Sequence, residues 1–524
     1  MELLSTTILI IAILLLTFLK TMVKSPEELR RHAGKQAPGP RGLPFIGNIH
    51  NVLGTLPPHH YLRHLSTIYG PIFRLKLGEI NTLIISSAEA AREILKTHDL
   101  NFASRPNTAT SNTIFYGSKD IVFACCGDFW RQMRRICMLE LLSAKKVCSF
   151  RTIREEEISH LLQSISISVG EVVNLSSKFA ALSNNITARA VVGGTCKEQP
   201  LFQLAVDEVT QYVSGFSVIN LFPSIPGFIN RITGWQKKLN QCGQKLDRIA
   251  EKILQEHVQK RAEFFNGCEE QDKLFIEEDM MDVLIRIQQD GGLQFPLSND
   301  NIKAIVNDML MAGSDTIATT MEWVMTELVR HPKVMRKVQR EVRNVLREGD
   351  NTNMIVDEEA VRNKLHYLQV VIKETLRFHP PAPLLLPRES IERCEVMGYD
   401  VPAKTMVIVN AWAIGRDPKY WENPEEFWPE RFEKSDVDFK GRPYFEFLPF
   451  GSGRRMCPGI NFGLTVVELT IAYLLYYFDW EYKIKKGEQL DVTETFGVTA
   501  KRKFSLCLLA NPHNPLTSLN LKLN

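Results

Sequence analysis

Residues 450–459 read Phe-Gly-Ser-Gly-Arg-Arg-Met-Cys-Pro-Gly, and no other stretch narrows the available folds so far. One cysteine, Cys457, stands behind a glycine-rich turn and ahead of an apolar run, Ile460 to Leu475, that reads as a helix. Gly453 has no Cβ, so the chain can turn sharply there and lie close to a flat group. Pro458 suits a first helical position, where a missing N–H costs nothing. A cysteine at a helix start meets free backbone N–H groups, which favour the thiolate. Phe450, Gly453, Arg455, Cys457 and Gly459 at this spacing would meet by chance in roughly one chain in ten thousand of this length. A thiolate so placed can be the axial ligand of a haem iron, with Arg455 toward a propionate and Phe450 shielding the sulfur. The plainer alternative is a structural cysteine in a loop.

The remaining chain discriminates. An apolar-periodic stretch from about Ile302 to Val329 predicts a long helix, interrupted by Ala312-Gly313-Ser314-Asp315-Thr316. Ala312 and Thr316, four apart, share a face. Glycine in mid-helix costs about 1 kcal/mol against alanine, so a polar, strained break there is better explained by function than by stability. The competing reading is a threonine bonded back to its own helix. Glu374-Thr375-Leu376-Arg377, taken alone, is a modest helical pair. Ser143 to about Ile167 and Pro332 to about Leu346 also read as helices, and Ile72 to Leu77, Thr82 to Ser86 and Met406 to Asn410 as extended runs.

Composition excludes several classes. The 524 residues carry a formal charge of only +3, too small to suggest nucleic acid, and ten cysteines without paired spacing argue against disulfide frameworks and zinc modules. Gly451-Ser452-Gly453 does not continue into a dinucleotide fingerprint, so electrons must come from another protein. Leu3 to Leu19 is apolar enough to span a membrane, and Lys20, Lys24, Arg30, Arg31 and Lys35 follow it. Positive charge after the span leaves the bulk of the chain in the cytosol. Ala37-Pro38-Gly39-Pro40-Arg41-Gly42-Leu43-Pro44 reads as a stiff, non-helical connector. The expected organisation is an anchor at 1–24, a basic and proline-rich hinge at 25–48 and a catalytic domain at 49–524. Asn174 and Asn185 stand in glycosylation patterns that a cytosolic face would leave unmodified.

Taken together, the cysteine loop, Ala312 to Thr316, Glu374 to Arg377 with the later Pro429-Glu430-Arg431-Phe432, and Trp130-Arg131-Gln132-Met133-Arg134 resemble the cytochrome P-450 superfamily, over nearly the whole chain. The look is that of plant microsomal members, nearest the terpenoid- and alkaloid-oxidising clade. The resemblance implies a mainly α fold, a helical prism with a small β region, anchored in the endoplasmic reticulum by one helix. It implies haem b on Cys457, with Trp130, Arg134, Arg388, Phe450, Gly453, Arg455 and Gly459 around it. Thr316 and Asp315 would supply protons to dioxygen, and Glu374, Arg377 and Arg431 would form a structural cluster. Ile114, Phe115, Ile305, Met309, Ala312, Ala382 to Leu386 and Val498 would line an apolar pocket for a lipophilic small molecule. The implied donor is an NADPH–cytochrome P-450 reductase docking on Arg131, Arg135 and Arg454, with cytochrome b5 as an accessory.

The expected activity is monooxygenation of a lipophilic plant metabolite, a terpenoid first, an alkaloid or phenolic as the alternative. A haem-thiolate isomerase or dehydratase would not need Thr316. A haem carrier or sensor would need neither Thr316 nor a reductase.

Overall fold

The computed structural model of the chain describes residues 34–52, 54, 56–193, 208, 218–225, 234–267, 278–348, 358, 363–439, 443–482, 490–495 and 497–513. The expected anchor at 1–24 lies outside these residues. The proline-rich segment is non-helical from residue 34 onward, and it is not a free hinge. Its carbonyls at Lys35 and Pro38 accept from Asp400 and Arg74 at 2.8 and 2.7 Å, and the Asn48 N–H reaches Lys76 at 2.6 Å. Residues 34–48 therefore belong to the body of the protein, so the expected boundary at 49 falls too late.

Four strands form the main sheet: β1 (Ile72–Leu77), β2 (Ile80–Ile85), β3 (Arg388–Glu389) and β4 (Met406–Val409). β1 and β2 make an antiparallel hairpin, β4 runs parallel to β2, and β3 closes the edge antiparallel to β4. The β-branched runs Ile84-Ile85 and Val407-Ile408-Val409 are buried, as befits strands covered on both faces. The edge strand carries Arg388 inward. Asn410, expected to end an extended run, instead caps a helical turn, Ala411–Ile414, by accepting from the Ala413 N–H at 3.0 Å.

Three smaller sheets, one of three strands and two of two, lie elsewhere in the described residues, and helices make most of the remainder. The helices that position the site are α1 (Asp128–Ile136), α2 (Leu175–Val192), α3 (Asn299–Arg330), α4 (His366–Phe378) and α5 (Ile460–Tyr477). A capping box starts α3: Ser298 Oγ accepts from the Asn301 N–H and Asn301 Oδ1 from the Ser298 N–H, at 3.3 and 2.9 Å. α5 is apolar on every side and so belongs in the core. Among the described residues it alone is long and apolar enough to cross a membrane, yet 78% of it is buried within the protein. The expected helix from Ser143 to Ile167 is two, Ala144–Ser149 and Arg151–Ser166, separated at Phe150.

Gly313 has a packing explanation. α3 runs unbroken through it, and a Cβ added there would stand 2.8 Å from Cγ2 of Thr187 on α2. Ser183 Oγ, also on α2, donates to the Ser314 carbonyl at 2.6 Å. The glycine lets two helices touch, so the expectation of a strained break is corrected.

Gly313→Val should destabilise the fold by ~1–3 kcal/mol through overpacking. Denaturant unfolding measures it, and pairing the change with Thr187→Ala should return part of the loss. A second prediction concerns His257, on the helix Trp235–Gly267. Its Nε2 lies 2.9 Å from Asp279 Oδ2 and its Nδ1 2.8 Å from the Ile253 carbonyl, so the ring is best served by two protons. Burial opposes the charge, but Asp279 outweighs it and lifts the pKa to about 9. The stabilisation is complete below the ordinary histidine range and is lost as pH rises through about 9. Unfolding midpoints across that window should fall more steeply for the native chain than for His257→Gln.

Candidate active site

Cys457 lies between a tight turn and α5. Gly453 (φ +75°) and Gly451 (φ +67°) supply left-handed conformations. A Cβ on Gly453 would lie 2.5 Å from both Asp99 Oδ1 and the Leu95 carbonyl, so no side chain fits. The Cys457 N–H closes the loop onto the Phe450 carbonyl at 3.0 Å. α5 begins at Ile460, so Pro458 stands in the turn before it and not at its first position. Burial pushes the Cys457 thiol up, against the pull of the Gly459 N–H and the Arg134 charge. A buried thiol of this kind is a poor free nucleophile, whereas a bound metal would take its proton outright.

The sulfur opens on a cavity of about 290 Å³. Arg134, Arg388, Arg455 and also Arg105 line it. Desolvation pulls all four guanidiniums below their usual range, Arg388 and Arg455 to about 10. Arg455 donates to the carbonyls of Ala103 and Ile121 at 2.7 and 3.0 Å, and to that of Ala124. Arg388 reaches Asp99 Oδ1 at 3.3 Å and the Ser452 carbonyl at 2.8 Å. Arg134 holds the Met456 carbonyl at 2.5 Å. Carbonyls satisfy hydrogen bonds without neutralising charge, so the wall keeps an excess of buried positive charge that an anionic ligand would relieve. A thiol and several buried guanidiniums lining one cavity fit a haem, with its iron and two carboxylates.

Trp130 differs from expectation. Its Nε1 donates to the Ile121 carbonyl at 3.0 Å, and its ring carries the Arg455 guanidinium at 4.0 Å. It is a platform behind the cavity wall. Arg105 gave no signal in the sequence, because its role follows from reaching the carbonyls of Val122, Leu386 and Pro387 at 3.0, 2.7 and 2.6 Å.

From α3, Asp308, Ala312, Asp315 and Thr316 line the cavity. The Thr316 hydroxyl donates back to the Ala312 carbonyl at 2.7 Å, and Asp315 accepts from Thr499 Oγ1 at 2.5 Å and pairs with Lys501. Phe115, Ala382, Leu386, Val498 and Phe450 also line it. Ile114, Ile305 and Met309 do not. Ile114 packs toward Gly243 of the helix Trp235–Gly267. Met309 and Ile305 share the azimuth of Thr316 but are packed inside the main core. Asp308 was within reach of the sequence, since 308, 312 and 316 are spaced by four. It accepts from the Ile121 and Val122 N–H groups at 2.9 and 3.2 Å and so holds the loop over the helix.

Below the cavity, Arg377 makes a two-pronged contact with Glu374 at 2.7 and 2.8 Å, and Arg431 Nε joins at 3.2 Å. Glu374 and Arg377 are both essentially inaccessible. The second cation is tolerated because Arg377 and Arg431 spend their other donors on carbonyls at 415–426.

The Cytochrome P450 family model matches residues 37–508. The chain is 47% identical over 498 residues to desmethyl-deoxy-podophyllotoxin synthase of Sinopodophyllum hexandrum, 95% of each protein being covered. It is 46% identical over 485 residues to premnaspirodiene oxygenase of Hyoscyamus muticus, covering 92% of this chain and 93% of that one. It is 44% identical over 472 residues to costunolide synthase of Cichorium intybus, covering 90% and 91%. A zebra fish cytochrome P450 solved with abiraterone superposes with a TM-score of 0.72 at 26% identity, over 88% of this chain and 100% of that one. The chain belongs to the cytochrome P450 family. It is a haem-thiolate monooxygenase, served by an electron donor and acting on a small molecule.

Glu374→Ala would leave the Arg377 and Arg431 guanidiniums buried without a counter-charge. The expected cost is about 3–5 kcal/mol, read as a lowered unfolding midpoint and a reduced yield of haem-loaded protein.

Proposed function

We propose that this cytochrome P450 hydroxylates a lipophilic plant specialised metabolite, a terpenoid, using dioxygen and electrons passed from NADPH through a reductase. The observation that carries the reading is the mixed lining of one cavity: Cys457 and four guanidiniums together with apolar side chains from separate segments. The relatives named premnaspirodiene oxygenase and costunolide synthase support a terpenoid scaffold. The relative named for podophyllotoxin supports a second reading, a phenolic-derived scaffold.

When bound, the haem supplies the redox centre at which dioxygen is reduced and one oxygen atom enters a C–H bond. Cys457 would hold the iron, and Arg105, Arg134, Arg388 and Arg455 would hold the carboxylates. Phe115, Ala312, Ala382, Leu386 and Val498 would orient the substrate by shape and exclude water. Thr316 offers a hydroxyl at the cavity wall. Asp315 can exchange protons with solvent on the side of Lys501, which is half exposed. On this reading Asp315 feeds Thr316, and neither holds the substrate.

Arg131, Arg135 and Arg454 are exposed, on α1 and on the cysteine loop. They would form the docking face for the reductase and for cytochrome b5, with the N-terminal segment holding the protein on the endoplasmic reticulum, catalytic domain toward the cytosol.

The haem-loaded chain should show the red-shifted Soret band of a thiolate complex when reduced under carbon monoxide, and Cys457→Ser should abolish it. Terpene ligands should move the ferric iron from low to high spin. If only phenolic or alkaloid scaffolds do so, the terpenoid assignment falls and the chemistry stands. Thr316→Ala should keep consuming NADPH while product per NADPH drops by about ten-fold or more. Charge reversal at Arg131, Arg135 and Arg454 should slow reduction by the reductase and leave dithionite reduction unchanged. An unaltered reductase rate would remove these residues from the interface.

A further inference from the structure

Asp99 stands in the turn after the helical segment Glu93–Thr97, is 7% exposed, and is surrounded by the cysteine loop. Its carboxylate accepts from the Arg454 N–H, with oxygens at 3.3 and 3.0 Å. That amide lies three residues before Cys457. The same Oδ1 takes Arg388 Nη1 at 3.3 Å, while Arg388 Nη2 spans to the Ser452 carbonyl at 2.8 Å. The three groups close a ring: carboxylate to loop amide, carboxylate to guanidinium, guanidinium to loop carbonyl. Gly453 sits against the same carboxylate, where even a methyl group would collide.

We infer that Asp99 is a positioning residue for the haem site, fixing both the backbone turn that aims the Cys457 sulfur and the side chain of Arg388. The turn is held by one short helical turn, Gly453–Arg455, and by the Cys457 N–H on the Phe450 carbonyl, and α5 starts only at Ile460. Side chains that grip its backbone tie this short turn to the rest of the protein. Among the described residues, Asp99 is the one carboxylate in ion-pair range of Arg388. Arg388 lines the cavity, so the carboxylate also sets how much uncompensated positive charge faces a bound haem. A residue serving only the fold would have no reason to join the ligand turn to a cavity-wall cation.

The test uses the full-length, haem-loaded protein with Asp99→Asn and Asp99→Ala. Three quantities are read: the Soret position of the reduced carbon-monoxide complex, the ferric/ferrous potential and the thermal midpoint. Asparagine keeps an oxygen for the Arg454 N–H but removes the charge opposite Arg388. It should retain the red-shifted band, while the potential moves upward because added positive field favours the reduced iron. Alanine releases the turn as well, and most of the red-shifted band should be lost at a temperature where the protein is still folded. If Asp99→Ala does not accumulate as folded protein, the potential of Asp99→Asn decides alone. Unchanged band and potential in both variants, with or without a lower thermal midpoint, would overturn the inference and assign Asp99 to the fold.

Discussion

Charge burial governs this molecule. Four guanidiniums and one sulfur are withdrawn from water around a single cavity, and no helix or strand geometry requires that arrangement. Isolated buried cations are among the most expensive features a fold can carry. Here they are held by backbone carbonyls, by Asp99 and by the ring of Trp130. The carbonyls and the ring fix position without cancelling charge, and Asp99 offsets the charge of Arg388 alone, so an anionic cofactor completes the site. The segments that carry Arg105, Arg388 and Arg455 are tied together by the same bonds, so binding site and local fold are one construction.

Beneath it, the Glu374–Arg377–Arg431 cluster ties α4 to the irregular segment at 415–432. That segment leads into the cysteine loop, so the position of Cys457 depends on an ion cluster away from the cavity. Buried ion pairs are weak evidence for stability but strong constraints on geometry. The close contact of α2 and α3 at Gly313 is the other constraint, because it sets where Ala312, Asp315 and Thr316 meet the cavity.

Much of this was legible where chemistry needs a particular residue at a particular spacing. The cysteine decapeptide, the Ala312-to-Thr316 face, the apolar α5 and the β1–β2 runs could be read because glycine, thiolate and apolar periodicity leave local marks. The pocket was less legible. Ile305 and Met309 have the right azimuth but pack into the core, and one-dimensional periodicity does not report what covers a helix face. Ile114 faces another helix, and nothing near it in the chain indicates that. Arg105 and Asp99 went unnoticed because their partners are far away in sequence, at 386–387 and at 388 and 454.

The amino-acid sequence by itself determined the thiolate ligand, the helical class, the family and the kind of chemistry, all properties of short segments whose residue types are nearly irreplaceable. Tertiary structure alone decided which arginines share the cavity, that Trp130 backs Arg455, that Gly313 serves helix packing, and that Asp99 joins the ligand turn to the cavity wall. The physical reason is range. Conformational preference and ligand chemistry act within a few residues along the chain, whereas charge compensation and close packing act through space between segments the chain has yet to bring together.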